Sequence, residues 1–197
     1  MSTLIIIATQ TRGEAKEEAI KMLTKILETI KIEPSQFNRI ASMISARGMP
    51  STISEKAAEI LIENFVNDEK LGAVCLGLGR SKSPANQAKL RQVIDKTTNR
   101  SVKGHAIYAL ATSMLGRPVA PNEEAEELLE KIVSDFADVE TSRGSLAKLA
   151  AGPLFEMQNL QIGMAAPNIS GEDVDGTAFQ LADYKGKVIV LDFWGDW

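Results

Sequence analysis

An apolar stripe with helical spacing recurs through most of this chain and restricts the folds open to it. Apolar side chains return at intervals of three and four residues in 19–30, 37–44, 58–65 and 125–136. This period places them on one face of an α-helix rather than on one side of a strand. Residues 14–160 are therefore predicted to form six to eight helices that bury these faces against one another.

Turn-forming residues indicate where several of these helices begin or change. Thr52 and Glu55 have the spacing of a capping box, in which each side chain satisfies a backbone amide of the first turn. Asn99 and Asn122 can each cap a following helix. Pro153 is expected to kink or restart the last helix, because proline lacks an amide donor and clashes with the preceding turn.

Two of the predicted helical hairpins resemble each other. Residues 61–63 align with 93–95 at an offset of 32, and residues 68–71 align with 99–102 at an offset of 31. This offset is the length of an αα-repeat unit. Ordinary bundles also contain antiparallel helices joined by short turns. The prediction is therefore a mainly α, antiparallel helical array, with a true αα-repeat and a simple bundle both open.

Basic and acidic residues are segregated along the helical part. Residues 80–103 carry seven basic side chains and one acidic one, whereas residues 123–140 carry eight acidic and one basic. The basic stretch could bind an anionic partner, or consecutive helices could pair their charges. The second interpretation is favoured, because the basic stretch lacks aromatic rings for stacking on bases. No nucleic-acid partner is expected, while a protein partner on the helical region remains open.

The single cysteine and single histidine limit the chemistry of the chain. One cysteine excludes an internal disulfide, and Cys75 lies in an apolar segment where a free cysteine is usually a small core residue. His105 lies on a predicted helix, with a surface role and a half-buried role both open. No metal site and no cofactor are predicted.

No apolar segment approaches the ~20 residues that span a bilayer. The early apolar run at residues 4–8 is also shorter than the core of a signal peptide, which is about 7–15 residues long. These segments alone predict no membrane span and a cytoplasmic chain.

The helical period ends near Gly163, and strand and turn signals replace it. Pro167 favours extended backbone, and residues 173–176 have turn chemistry ahead of a short strand near Phe179. Residues 188–194 form a nearly continuous apolar run, typical of a central strand covered on both faces in an α/β sheet. The sequence thus predicts a helical domain over 1–161, followed by a β-hairpin and a central strand.

Residues 162–197 resemble the start of the thioredoxin-like redoxins, a group that includes alkyl-hydroperoxide-reductase-type peroxiredoxins and thiol–disulfide oxidoreductases. The resemblance is carried by Gly163 to Pro167, Asp175-Gly176, Leu181 to Lys187 and Asp192 to Trp197. In that family a Cys-x-x-Cys pair follows at the start of a helix. The resemblance implies a thioredoxin-like α/β domain truncated just before its catalytic cysteines, and its Phe-Trp-Gly-Asp-Trp ending is closer to the thiol–disulfide branch than to the peroxidatic branch.

The resemblance also implies roles for three residues. Asp192 matches a buried carboxylate that assists proton transfer to and from the second cysteine of the pair. Trp197 would directly precede the nucleophile, and Trp194 would shape the same surface. On the residues alone, Asp192 could equally be a solvated strand carboxylate.

The expected whole protein is a thiol–disulfide oxidoreductase acting on a protein disulfide or a peroxide, with a helical region that positions it or binds a partner. The chain of 197 residues is itself expected to be inactive. The alternative is a non-enzymatic helical-repeat interaction module with a remnant redoxin segment. The family is commonly exported, so the resemblance leaves the location open between periplasm and cytoplasm.

The end of the chain carries one more expectation. The residue after Trp197 is expected to be a redox cysteine or selenocysteine, whose UGA codon ordinary gene finding takes as a stop. A frameshift, a degenerate gene and a deliberately chosen end point are the open alternatives.

Overall fold

The computed structural model describes residues 1–192 and is mainly helical, as predicted. The chain forms two compact units, Met1–Met157 and Gln158–Trp197. Within the described residues there are nine α-helices and two antiparallel two-stranded hairpins, against the six to eight helices expected. The helices are α1 (Ser2–Gln10), α2 (Glu14–Thr29), α3 (Phe37–Ser45), α4 (Ser51–Phe65), α5 (Leu71–Leu78), α6 (Pro84–Lys96), α7 (Arg100–Met114), α8 (Glu123–Asp135) and α9 (Leu146–Asn159). The strands are β1 (Glu140–Thr141), β2 (Gly144–Ser145), β3 (Ser170–Glu172) and β4 (Ala178–Gln180).

The apolar stripes seen in the sequence form the core of the first unit. Helix α2 buries Ala19, Leu23 and Leu27, one residue per turn on a single face. Phe37 of α3 contacts Phe65 of α4 edge to face, with ring centroids 5.4 Å apart. Burying a large apolar side chain contributes about 1.5–3 kcal/mol, so packing of these faces is the main stabilising term.

Helix α1 was not predicted. Its run of three isoleucines has β-branched side chains that favour strands over helices. The segment is nonetheless helical and packs along α2, with Ala8 fully buried. Tertiary packing therefore overrides local propensity at the start of the chain.

The predicted asparagine caps are confirmed. The Asn99 side chain accepts a hydrogen bond from the Val102 amide at 3.2 Å, and the Asn122 side chain accepts one from the Ala125 amide at 2.9 Å. Each bond satisfies a backbone donor that has no partner inside its helix.

The capping box predicted at Thr52 is wrong. Helix α4 begins one residue earlier, with Pro50 at the cap position and no side-chain cap bond. The Ser54 hydroxyl instead donates to the Met43 carbonyl of α3 at 3.1 Å. The last helix does not restart at Pro153, because α9 continues through it to Asn159.

The two similar hairpins, α4–α5 and α6–α7, are linked by hydrogen bonds between the turn of one hairpin and the turn of the other. The Asn67 side-chain oxygen accepts hydrogen bonds from the Thr97 hydroxyl at 3.1 Å, the Thr98 amide at 2.8 Å and the Thr98 hydroxyl at 3.2 Å. The Asn99 amide group donates to the Asn67 carbonyl at 3.1 Å. These partners are 30 to 32 residues apart, which matches the offset found in the sequence. Helix α5 packs on α7 and α4 on α6, so equivalent elements of the two hairpins are in contact.

Residues of the basic and acidic stretches pair with each other, although one of the pairs joins α6 to α8, which are not consecutive helices. Arg91 of α6 contacts Glu124 of α8 at 2.6 Å. The Arg100 guanidinium donates two hydrogen bonds to the Asp138 carboxylate, at 2.6 and 3.1 Å, and one to the Asp135 carbonyl. Two arginines of the basic stretch are thus neutralised by the acidic one.

In the described part of the chain, no helix combines the length and apolar character needed to cross a membrane.

Candidate functional site

The hairpin of the second unit is built around one aspartate. Strands β3 and β4 pair with Gly171 opposite Phe179. The Asp173 carboxylate accepts hydrogen bonds from the amides of Asp175 at 3.0 Å and Thr177 at 2.8 Å. Gly176 has φ +79°, a conformation that residues with a Cβ seldom adopt. The Asp-x-Asp-Gly turn predicted from the sequence is therefore present.

A second set of hydrogen bonds fixes the chain on either side of the hairpin. The Asn168 side chain donates to the Gln180 side chain at 2.8 Å and accepts from the Ala182 amide at 3.0 Å. The Asp183 carboxylate accepts from the Gln180 amide at 2.8 Å, at the start of a short 3₁₀ turn over Leu181–Tyr184. Three residues from the segments that carry the redoxin resemblance, Asp175, Ala182 and Asp183, therefore take part in these local hydrogen bonds.

The predicted central strand is not formed in its described part. Residues 188–192 belong to no β-ladder, and Val188 and Val190 are 99% and 90% exposed. A strand that is apolar on both faces needs neighbouring strands and covering helices to bury it. The described residues of the second unit supply one hairpin, β3–β4, which pairs with itself.

The predicted site residues are only partly placed. Asp192 is exposed. Trp194 and Trp197 lie outside the described residues. The role of Asp192 in proton transfer and those of the two tryptophans therefore stay predictions.

Cys75 is a core residue, as the sequence indicated. Its side chain is fully buried in α5, and loss of solvent raises the pKa of the thiol to about 12. The thiolate is the nucleophile in cysteine chemistry, so a thiol that stays protonated at neutral pH is unreactive.

His105 is buried in α7, deeper than either the surface role or the half-buried role left open for it. Its Nδ1 lies 2.7 Å from the Ser101 carbonyl oxygen, one turn earlier. Since a carbonyl oxygen can only accept, Nδ1 carries the proton in this bond. The ring packs so closely on α5 that a Cβ added at Gly72 would lie 3.0 Å from it. His105 is therefore a packing residue.

Among residues 1–192, no three His, Cys, Asp or Glu side chains converge as a metal site would require.

Comparison with known proteins finds partial similarity to one kind of enzyme. The chain is 41% identical over 49 residues to the thiol-disulfide oxidoreductase ResA of Bacillus thuringiensis (strain Al Hakam), covering 25% of this chain and 28% of that protein. It is 42% identical over 40 residues to ResA of Bacillus subtilis (strain 168), covering 20% of this chain and 22% of the relative. The chain thus matches less than a third of the length of these curated relatives. No protein-family model and no solved structure matches the chain.

Proposed function

We propose that the protein is a thiol–disulfide oxidoreductase whose redox domain begins in residues 162–197. In this proposal residues 1–161 form a helical domain that positions the redox domain or binds its partner. The observation that carries the proposal is the 41% identity over 49 residues to ResA of Bacillus thuringiensis. We infer that the matched stretch is the C-terminal part of the chain, because the redoxin motifs lie there.

The chemistry requires a Cys-x-x-Cys pair, and the 197 residues contain a single cysteine, Cys75. In the proposed whole protein the pair follows Trp197 at the start of a helix, where the partial positive charge of the helix lowers the pKa of the first thiol. Its thiolate attacks one sulfur of a substrate disulfide and expels the other as a thiolate. The second cysteine then attacks the mixed disulfide, which leaves the substrate reduced and the enzyme oxidised.

Three residues of this chain have parts in that scheme. Asp192 exchanges a proton with the second cysteine, so that the cysteine is deprotonated when it attacks. Trp197 and Trp194 cover the disulfide and shape the surface that meets the substrate. The hairpin around Asp173 supports the proposal, because its turn contains Asp175 and Gly176, two of the residues that carry the redoxin resemblance.

The alternative function is a helical-repeat interaction module without redox activity. The turn-to-turn hydrogen bonds of Asn67 favour it, since stacked αα-hairpins build extended binding surfaces. The buried, protonated Cys75 is consistent with both functions.

The coding sequence after codon 197 separates these two functions. An in-frame Cys-x-x-Cys, or a UGA codon followed by two residues and a cysteine, supports the oxidoreductase. Unrelated sequence after a different stop codon supports the interaction module.

Activity provides the second test. With a dithiol as regenerant, the extended protein should reduce a protein disulfide, and replacing the first cysteine of the pair should abolish turnover. The chain ending at Trp197 should remain at background. Cys75→Ser is the matched control and should leave the activity of the extended protein unchanged; loss of turnover in that variant would refute the placement of the site. Asp192→Asn should slow turnover and shift its pH profile.

A further inference from the structure

A basic cavity of about 1040 Å³ lies in the first unit, between α7, the turn that follows α5 and the β1–β2 hairpin. Its basic side chains come from three places in the chain. Arg80 and Lys82 lie between α5 and α6, Arg117 lies just after α7, and Arg143 lies between β1 and β2. All four residues are exposed.

These four cations differ from other basic residues of the helical part. Arg91 and Arg100 are neutralised by Glu124 and Asp138. Arg80, Lys82, Arg117 and Arg143 instead line the cavity together. Glu156 is the one acidic residue among the described residues that line the cavity. The cavity thus concentrates positive charge on a chain whose net charge is −4.

Tyr108 and Thr112 of α7 also line the cavity. The Thr112 hydroxyl donates within α7, to the carbonyls of Tyr108 and Ala109. Tyr108 is buried, with 8% of the residue exposed. Burial raises the pKa of Tyr108, and the positive charge of Arg143 opposes that rise. A neutral hydroxyl close to a guanidinium is a suitable donor for a carboxylate oxygen.

The lining argues against two other classes of ligand. Sites for small organic molecules are mostly apolar and hold about 300–1000 Å³. This cavity, at about 1040 Å³, slightly exceeds that range, and four cations line its wall. Single-stranded nucleic acid needs exposed aromatic rings for stacking, and the aromatic ring here belongs to the buried Tyr108.

We propose that this cavity is a docking site for an acidic peptide segment of a partner protein. Carboxylates on the segment pair with the arginines, which bind them through planar, bidentate hydrogen bonds. Lys82 and the Tyr108 hydroxyl hold further oxygens. This gives a specific site to the partner role of the helical region, and it does not depend on redox chemistry in the second unit.

Fluorescence anisotropy with a labelled peptide of alternating glutamate and serine tests the proposal on the full chain. The acidic peptide should bind, and binding should weaken steeply with added salt, because exposed charges are screened. A peptide with glutamine in place of glutamate should not bind. Since the net charge of the chain is negative, general attraction cannot account for such binding.

The double variant Arg117→Gln/Arg143→Gln should weaken binding by about tenfold or more, because each substitution removes a charged donor to the peptide carboxylates. Arg39→Gln/Arg47→Gln is the matched control, because these exposed arginines lie outside the cavity. Its affinity should stay within about twofold of the parent, a difference of less than 0.5 kcal/mol. Equal loss in both double variants would overturn the proposal, as would a nucleotide or an RNA oligomer that binds more tightly and is lost in the cavity variant alone.

A charge-reversed variant keeps the proposal testable if the glutamine variant does not fold. Arg117→Glu/Arg143→Glu should reject the glutamate peptide and bind the same peptide made with lysine. Failure of the lysine peptide to bind a variant with a normal circular dichroism spectrum and melting temperature would also overturn the proposal. Activity of the redox domain is not part of either readout, so this proposal and the oxidoreductase proposal fail separately.

Discussion

Two glycines of the same helical segment should respond in opposite directions to alanine. Gly77 lies inside α5, and a Cβ added there would meet no atom within 4 Å. Gly79 ends the helix with helical backbone angles, φ −66° and ψ −15°. A Cβ added at Gly79 would lie 2.6 Å from the carbonyl oxygen of Ala109 and 2.8 Å from its Cα. The helical backbone conformation suits alanine at both positions. Packing against α7 leaves room for its Cβ at Gly77 and not at Gly79.

The magnitudes follow from two competing terms. Replacing a helical glycine by alanine stabilises the fold by about 0.5–1 kcal/mol, because the unfolded chain loses conformational freedom. Gly77→Ala should therefore raise the free energy of unfolding by that amount. In Gly79→Ala the same gain is opposed by overpacking against a helix backbone, which costs about 1–3 kcal/mol. The net result for Gly79→Ala should be a loss of up to about 2.5 kcal/mol.

Urea unfolding followed by far-UV circular dichroism measures both variants. In a domain of this size each kcal/mol also moves the melting temperature by about 2–4 °C, so the two variants should lie on opposite sides of the parent. If Gly79→Ala were stabilised as much as Gly77→Ala, the close contact between α5 and α7 would be refuted. An unchanged slope of free energy against urea is the control that both variants unfold from the same compact state.

Three further outcomes are expected. Burial raises the pKa of Cys75 to about 12. Iodoacetamide should therefore not label the native chain at neutral pH, and it should label the chain rapidly in denaturant. Rapid labelling of the native chain would contradict the burial of this thiol. The hydrogen bond from Arg91 holds the pKa of Glu124 below its usual 4.5, so the pair stabilises the fold above that pH and loses its effect as the pH falls through the lower folded value. Arg91→Gln should thus have a lower urea midpoint at neutral pH and the parent's midpoint in strong acid, whereas a constant deficit at every pH would show another cause. A chain ending at residue 161 should keep its helical signal and melting temperature, because both buried clusters lie in the first unit. It should also be more soluble, because the exposed apolar run is removed. A large loss of helix would show that the tail belongs to the core.

Features that depend on neighbours within a turn or two of the chain could be predicted from the sequence. The 3.6-residue period of apolar side chains indicated the helices, because burial of one face requires that spacing. The caps at Asn99 and Asn122 and the turn at Asp173 were identifiable for the same reason, since each side chain bonds amides two to four residues ahead. The burial of Cys75 followed from its apolar neighbours in a helix.

Features that join distant segments were decided by the tertiary structure alone. The helix at residues 2–10 contradicts its local propensity, and packing on α2 is what stabilises it. Arg80, Arg117 and Arg143 are widely spaced in sequence, and folding of α7 and the β1–β2 hairpin lines one cavity with all three. Position 79 carries no sequence signal that distinguishes it from position 77, because the carbonyl that forbids a Cβ there belongs to a helix thirty residues away in the chain. Steric contact and charge act through space, so only the folded chain shows which distant residues they join.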